Sequence, residues 1–119
     1  MSDITRDELA ARLAEEGLVV LDVRTAAEFG GGSGYPCDGR QGHLPGARHV
    51  DVQELLALDV EGIRAVVGAA DGAEVIAYCH SGGRSAMAVQ RLQAAGYDAR
   101  NYVGSWHEWS ADETLPGEP

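Results

Sequence analysis

Residues 75–96, VIAYCHSGGRSAMAVQRLQAAG, constrain the fold more than any other part of the chain. The apolar run 75–78 reads as a short buried strand. From Ser85 onward, Ala86, Val89, Leu92 and Ala95 fall on roughly one helical face and Gly96 supplies a stop, so a helix follows. Cys79 to Arg84 must therefore turn the chain between strand and helix, with Gly82 and Gly83 supplying the backbone freedom. Such a turn points several backbone N–H groups inward, near the positive end of the helix. With the guanidinium of Arg84 they would stabilise a thiolate on Cys79 and any anion attached to it. The plainer alternative is an inert strand-end cysteine in a turn whose glycines serve geometry alone.

The rest of the chain repeats the alternation. Thr5 and Glu8 have capping-box spacing and Leu9, Ala10, Leu13 and Ala14 share a face, so residues 5–16 read as a helix closed by Gly17. Residues 18–21 read as a buried strand. Asp51 caps a short helix, another covers about residues 61–67, and residues 99–103 make a third strand. Residues 104–119 read as a tail with two tryptophans, Trp106 and Trp109, of core or rim type, and an acidic end over 110–119. Strands alternating with helices predict an α/β fold with a mostly parallel sheet. Between Val23 and Val50 the glycines and prolines predict a long irregular segment, of the kind that is usually functional or mobile.

With 119 residues, 45% of them hydrophobic, the chain has the size of one domain, 1–119. Its formal charge of −10 argues against nucleic acid as a partner, and its nine basic residues are all arginine, which removes lysine-based mechanisms. The charged N-terminal stretch has the pattern of neither a signal peptide nor a membrane span, so no membrane association and a cytoplasmic location are expected. Two cysteines, Cys37 and Cys79, are too few for a disulfide framework or a structural zinc site, and no metal is expected.

Four segments resemble, in order, the blocks of the rhodanese family of sulfurtransferases: LDVRTAAEF (21–29), GHLPGARHV (42–50), CHSGGRS (79–85) and GSWHEW (104–109). The resemblance covers nearly the whole chain. It implies a single rhodanese-like domain, with helices on both faces of the sheet and the catalytic loop at its carboxyl edge. It further implies that Cys79 takes a sulfane sulfur from a donor, becomes a persulfide and passes the sulfur to a thiophilic acceptor: cyanide, a thiol or a protein. No cofactor is implied. The amides of His80, Ser81, Gly82, Gly83, Arg84 and Ser85 would surround the persulfide, and Arg84 would brace the loop and attract anionic donors. Asp22, Arg24 and Glu28 resemble the family's scaffold ion pairs, and His43 reads as a structural residue of a chain turn. The chain is expected to act as a monomer or homodimer.

His80 stands where many thiosulfate-using members carry arginine, which weakens anion attraction at neutral pH. The glycine-rich insertion over residues 30–41 resembles, with the C-terminal block, the catalytic half of tandem-domain sulfurtransferases. Two other functions fit parts of the pattern. A module delivering sulfur to one specific protein would have the same sequence. A cysteine phosphatase or arsenate reductase would place five residues between cysteine and arginine, whereas four separate Cys79 from Arg84. Cys37, flanked by Pro36 and Asp38 with no base closer than Arg40, reads as an incidental loop thiol, with a partner that resolves the Cys79 persulfide or forms a disulfide with it as the alternative.

Overall fold

Every strand of the sheet is short, and only its pleat keeps two separate cores apart. In the computed structural model, which describes residues 3–118, the elements run α1 (Arg6–Arg12), β1 (Val19–Asp22), α2 (Ala26–Phe29), β2 (Arg48–His49), α3 (Val52–Ala57), α4 (Val60–Val67), β3 (Glu74–Tyr78), α5 (Gly83–Ala94), β4 (Asp98–Asn101) and α6 (Ser105–Ala111). The four strands pair in parallel in the order β2-β1-β3-β4. Val19, Val20, Leu21 and Asp22 lie opposite Val75, Ile76, Ala77 and Tyr78.

Alternate side chains of this pair leave by opposite faces. Val19, Leu21, Val75 and Ala77 pack under Leu55 of α3, Ile63 and Val67 of α4 and Val89 and Leu92 of α5. Val20, Ile76 and Tyr78 pack with Leu9 of α1 and Trp106 and Trp109 of α6. Helices thus cover both faces, which is why these strands read as unbroken apolar runs rather than alternating ones. The parallel α/β architecture agrees with the expectation.

The last strand runs over Asp98–Asn101 rather than 99–103, the helix after the turn begins at Gly83 rather than Ser85, and three further readings change more. The first helix stops at Arg12 instead of residue 16, because the chain tightens there, with the Glu15 N–H donating to the Arg12 carbonyl at 2.8 Å. The segment between Val23 and Val50 is not wholly irregular. Thr25 and Glu28 form a capping box that starts α2, and Arg48–His49 adds an edge strand. Over residues 104–118 the reading as a tail is corrected, and residue 119 lies outside the described residues. Trp106 and Trp109 are fully buried on α6, and the segment beyond folds back onto the protein. Glu118 and His43 exchange backbone hydrogen bonds at 2.7 and 2.9 Å, and Trp109 Nε1 donates to the Pro116 carbonyl at 2.7 Å. Burial of the indoles overrides an acidic, glycine- and proline-bearing composition.

Candidate active site

β3 ends at Tyr78 and α5 begins at Gly83, so Cys79 sits at the carboxyl edge of the sheet in a turn of four residues. Gly82 takes φ +97°, and a Cβ there would stand 2.8 Å from the Val103 carbonyl oxygen. Glycine is required twice over, by conformation and by space. The turn wraps the sulfur. The Gly82 N–H donates to Cys79 Sγ at 3.1 Å, and Ser85 Oγ lies 3.4 Å off.

Burial, with Cys79 only 1% exposed, pushes its thiol up. The Ser85 hydroxyl and the amides of Ser85, Ser81 and Gly82 outweigh that and hold it below its ordinary value. The Ser85 hydroxyl has one hydrogen and two acceptors in reach, Cys79 Sγ and Asn101 Oδ1 at 2.7 Å. Asn101 Nδ2 in turn donates to the Gly82 carbonyl at 3.2 Å, tying β4 to the turn.

A second layer braces the turn from outside. Arg84 grips Glu28 through two parallel bonds, Nη1 to Oε1 at 2.9 Å and Nη2 to Oε2 at 3.1 Å. Burial alone would raise the Glu28 carboxyl, yet Arg84 and the Thr25 capping bonds bring it down to about 2. Glu28 therefore belongs with the cysteine turn, whereas the expected strand-end ion pair comprises Asp22 and Arg24 alone.

That pair is almost wholly buried. Arg24 donates to both Asp22 oxygens, Nη2 to Oδ2 at 2.7 Å, and to the Gly42 carbonyl at 2.5 Å. Tyr78 Oη donates to Asp22 Oδ2 at 2.7 Å and accepts from the Leu44 N–H at 3.0 Å. These contacts lie on the side of the sheet remote from the sulfur's hydrogen bonds and join β1 to the GHLPG segment. His43 is structural in the same sense: its Nδ1–H donates to the Phe29 carbonyl at 2.7 Å and its ring stacks on Phe29. His80 is tied to the insertion rather than standing free beside the sulfur. Its Nε2–H donates to Asp38 Oδ1 at 2.9 Å and its ring stacks on Tyr35 of the insertion at 3.6 Å.

The sequence reading missed Ser105 and Asn101. Ser105 is the only non-glycine residue with positive φ, +57°, among the described residues. Its Oγ accepts from the Cys79 N–H at 3.0 Å and donates to the Tyr102 carbonyl at 2.8 Å. The N–H groups of Trp106 and His107 then donate to the carbonyls of Cys79 and His80, at 2.9 and 3.0 Å. The Gly104-Ser105 pair just before a tryptophan was the available signal for a sharp turn there.

A family model described as a rhodanese-like domain matches residues 5–112. Among curated relatives, SseB of Mycobacterium tuberculosis is 36% identical over 108 residues, which is 84% of this chain and 38% of that protein. The 3-mercaptopyruvate sulfurtransferase of Escherichia coli is 33% identical over 111 residues, 84% of this chain and 39% of that protein. A crystal structure of a probable thiosulfate sulfurtransferase is 43% identical with a TM-score of 0.84, covering 98% of this chain and 47% of that one. The chain thus spans about two fifths of the length of the curated relatives it matches.

Proposed function

The chain belongs to the rhodanese family, and from that membership we propose that it moves a sulfane sulfur from a small anionic donor, such as thiosulfate, to a thiophilic acceptor through a Cys79 persulfide. The observation that carries this reading is the turn around one sulfur: the Gly82 N–H donates to Cys79 Sγ at 3.1 Å, the Ser85 hydroxyl lies 3.4 Å away, and the thiol is held below its ordinary value. Donors fixed in a water-poor turn stabilise a thiolate before reaction and a persulfide anion after it.

Both steps are displacements at sulfur. The Cys79 thiolate attacks the outer sulfur of thiosulfate, a new S–S bond forms, and sulfite leaves with the electron pair of the bond that breaks. Cyanide, a small thiolate or the thiolate of a protein then attacks the terminal sulfur. The Cys79 S–S bond breaks and the thiolate is restored. Arg84 acts as a positioning residue, because its guanidinium is committed to Glu28 and holds the start of α5 behind the amides. The four residues between Cys79 and Arg84, one fewer than a cysteine phosphatase loop holds, favour sulfur transfer over phosphate hydrolysis. The insertion borders the turn, since Tyr35 stacks on the His80 ring and Asp38 accepts from His80, which gives the insertion a part in shaping the approach.

We assign the protein to the cytoplasm, in keeping with its two free cysteines, and no helix among the described residues is long and apolar enough to cross a membrane. Intact-mass measurement after thiosulfate treatment tests the mechanism. The expected result is a gain of about 32 Da that maps to Cys79 and disappears on adding cyanide. A protein that turns over thiosulfate and cyanide with no added sulfur on Cys79 would overturn it.

A further inference from the structure

Four chemically reactive side chains from three separate segments converge beside the cysteine turn. Cys37 and Asp38 of the insertion, His80 of the turn and His107 of α6 bring a sulfur, a carboxylate oxygen and two ring nitrogens within 4.8 Å of one another. His80 Nε2 and His107 Nδ1 lie 2.9 and 3.0 Å from the same oxygen, Asp38 Oδ1, and Cys37 Sγ lies 3.9 Å from His107 Nδ1. A tetrahedral zinc ion with bonds of about 2.0 Å to nitrogen and oxygen and about 2.3 Å to sulfur needs N–O edges of about 3.3 Å and S–N edges of about 3.5 Å. Each of the three separations is within about 0.4 Å of its edge.

Asp38 supplies an independent observation. Its side chain is 1% exposed, yet Oδ2 is buried with no hydrogen-bond partner among the described residues. Two imidazole N–H groups on Oδ1 are all the hydrogen bonding that this buried carboxylate receives. A buried carboxylate that keeps one oxygen unpartnered calls for a cation. The donor set then narrows the choice: one thiolate, two imidazoles and one carboxylate suit zinc and its neighbours, while magnesium and calcium take oxygen ligands.

We propose that Cys37, Asp38, His80 and His107 form a binding site for a divalent transition-metal ion of the zinc class. On binding, the Cys37 thiol loses its proton to solvent and forms a metal–sulfur bond. Each imidazole shifts its proton to its other ring nitrogen and gives a lone pair, so one proton is released per ion. No electron is transferred. The ion ties the insertion to the turn that carries Cys79 and to α6, three segments that no covalent link joins. The expectation of no metal, drawn from two cysteines, counted sulfur ligands only; the fold adds two histidines and an aspartate. This site stands whether or not Cys79 carries sulfur.

Titration of the chain with Co2+, followed by displacement with Zn2+, tests the proposal. The expected result is one ion per chain, a near-ultraviolet thiolate-to-cobalt band, about one proton released per ion and a raised Tm. Cys79→Ser should bind like the parent. Cys37→Ser should lose the band, and both it and His107→Gln should bind at least about tenfold more weakly. Cys37 and His107 are exposed, so neither change threatens folding. Binding without a thiolate band, a band that survives Cys37→Ser, or one that vanishes in Cys79→Ser would each overturn the site.

Discussion

Arg84 and Glu28, 56 positions apart, meet through two parallel N–H···O bonds that lock the first turn of α5 onto α2. If this pair positions the turn rather than the substrate, Arg84→Ala and Glu28→Gln should each lower kcat/KM about tenfold, and the double variant should be no worse than the poorer single. Additive losses would show that the two act separately. The pair also sets an acid limit. Glu28 sits at about 2 in the folded chain against an ordinary 4.5, so its contribution is complete above the ordinary value and is lost as pH falls towards 2. Glu28→Gln should therefore flatten the decline of stability between those values in acid titration.

Cys79 reactivity should follow a thiolate held below its usual range. Alkylation by iodoacetamide, measured against pH, should reach its plateau at lower pH than a free cysteine does. Ser85→Ala removes a hydroxyl that helps hold the thiol down and should move that midpoint upward. Cys79→Ser should keep the fold by circular dichroism and lose sulfur transfer altogether. A midpoint that Ser85→Ala leaves in place would remove the hydroxyl from the argument.

Gly82 and Gly83 are adjacent yet should respond oppositely to a methyl group. Gly82→Ala forces a side chain into φ +97° and against the Val103 carbonyl, and should cost about 2 kcal/mol or more together with most activity. Gly83→Ala meets nothing within 4 Å and opens a helix, so it should be neutral or stabilise by up to about 1 kcal/mol. Denaturant unfolding of the two variants decides the point.

Ser105 combines a strained backbone with a buried acceptor. Ser105→Ala keeps the positive φ and strands the Cys79 N–H, so it should cost about 1–3 kcal/mol. Ser105→Gly loses the same bond but relieves the left-handed strain, worth about 1 kcal/mol, and should be the milder change. Equal stability of Ser105→Ala and the parent would mean that water replaces the hydroxyl.

Short-range chemistry was legible from residues alone. The Thr5–Glu8 box, the Asp51 cap, the apolar runs of β1 and β3 and the need for glycine after Cys79 each rest on groups within a few positions of one another. The Thr25–Glu28 box has the same spacing, but it lies beside glycines that spoke for a loop. The role of α6 could not be read this way. It has no side-chain cap; the N–H groups of Trp106 and His107 find the carbonyls of Cys79 and His80 instead.

The alternation of strands with helices, the cysteine turn and the family blocks were determined by the sequence, because apolar periodicity and backbone conformation act locally and leave their mark on consecutive residues. Which charges meet was decided by the tertiary structure. Glu28 finds Arg84, Ser105 finds the Cys79 amide, and Asp38 finds His80 and His107, each over 26 or more positions. Those partners are set by the parallel register of β1, β3 and β4, which brings the loops that follow them to one edge. A side chain's hydrogen-bond partner across such an edge depends on distances that no run of neighbouring residues encodes.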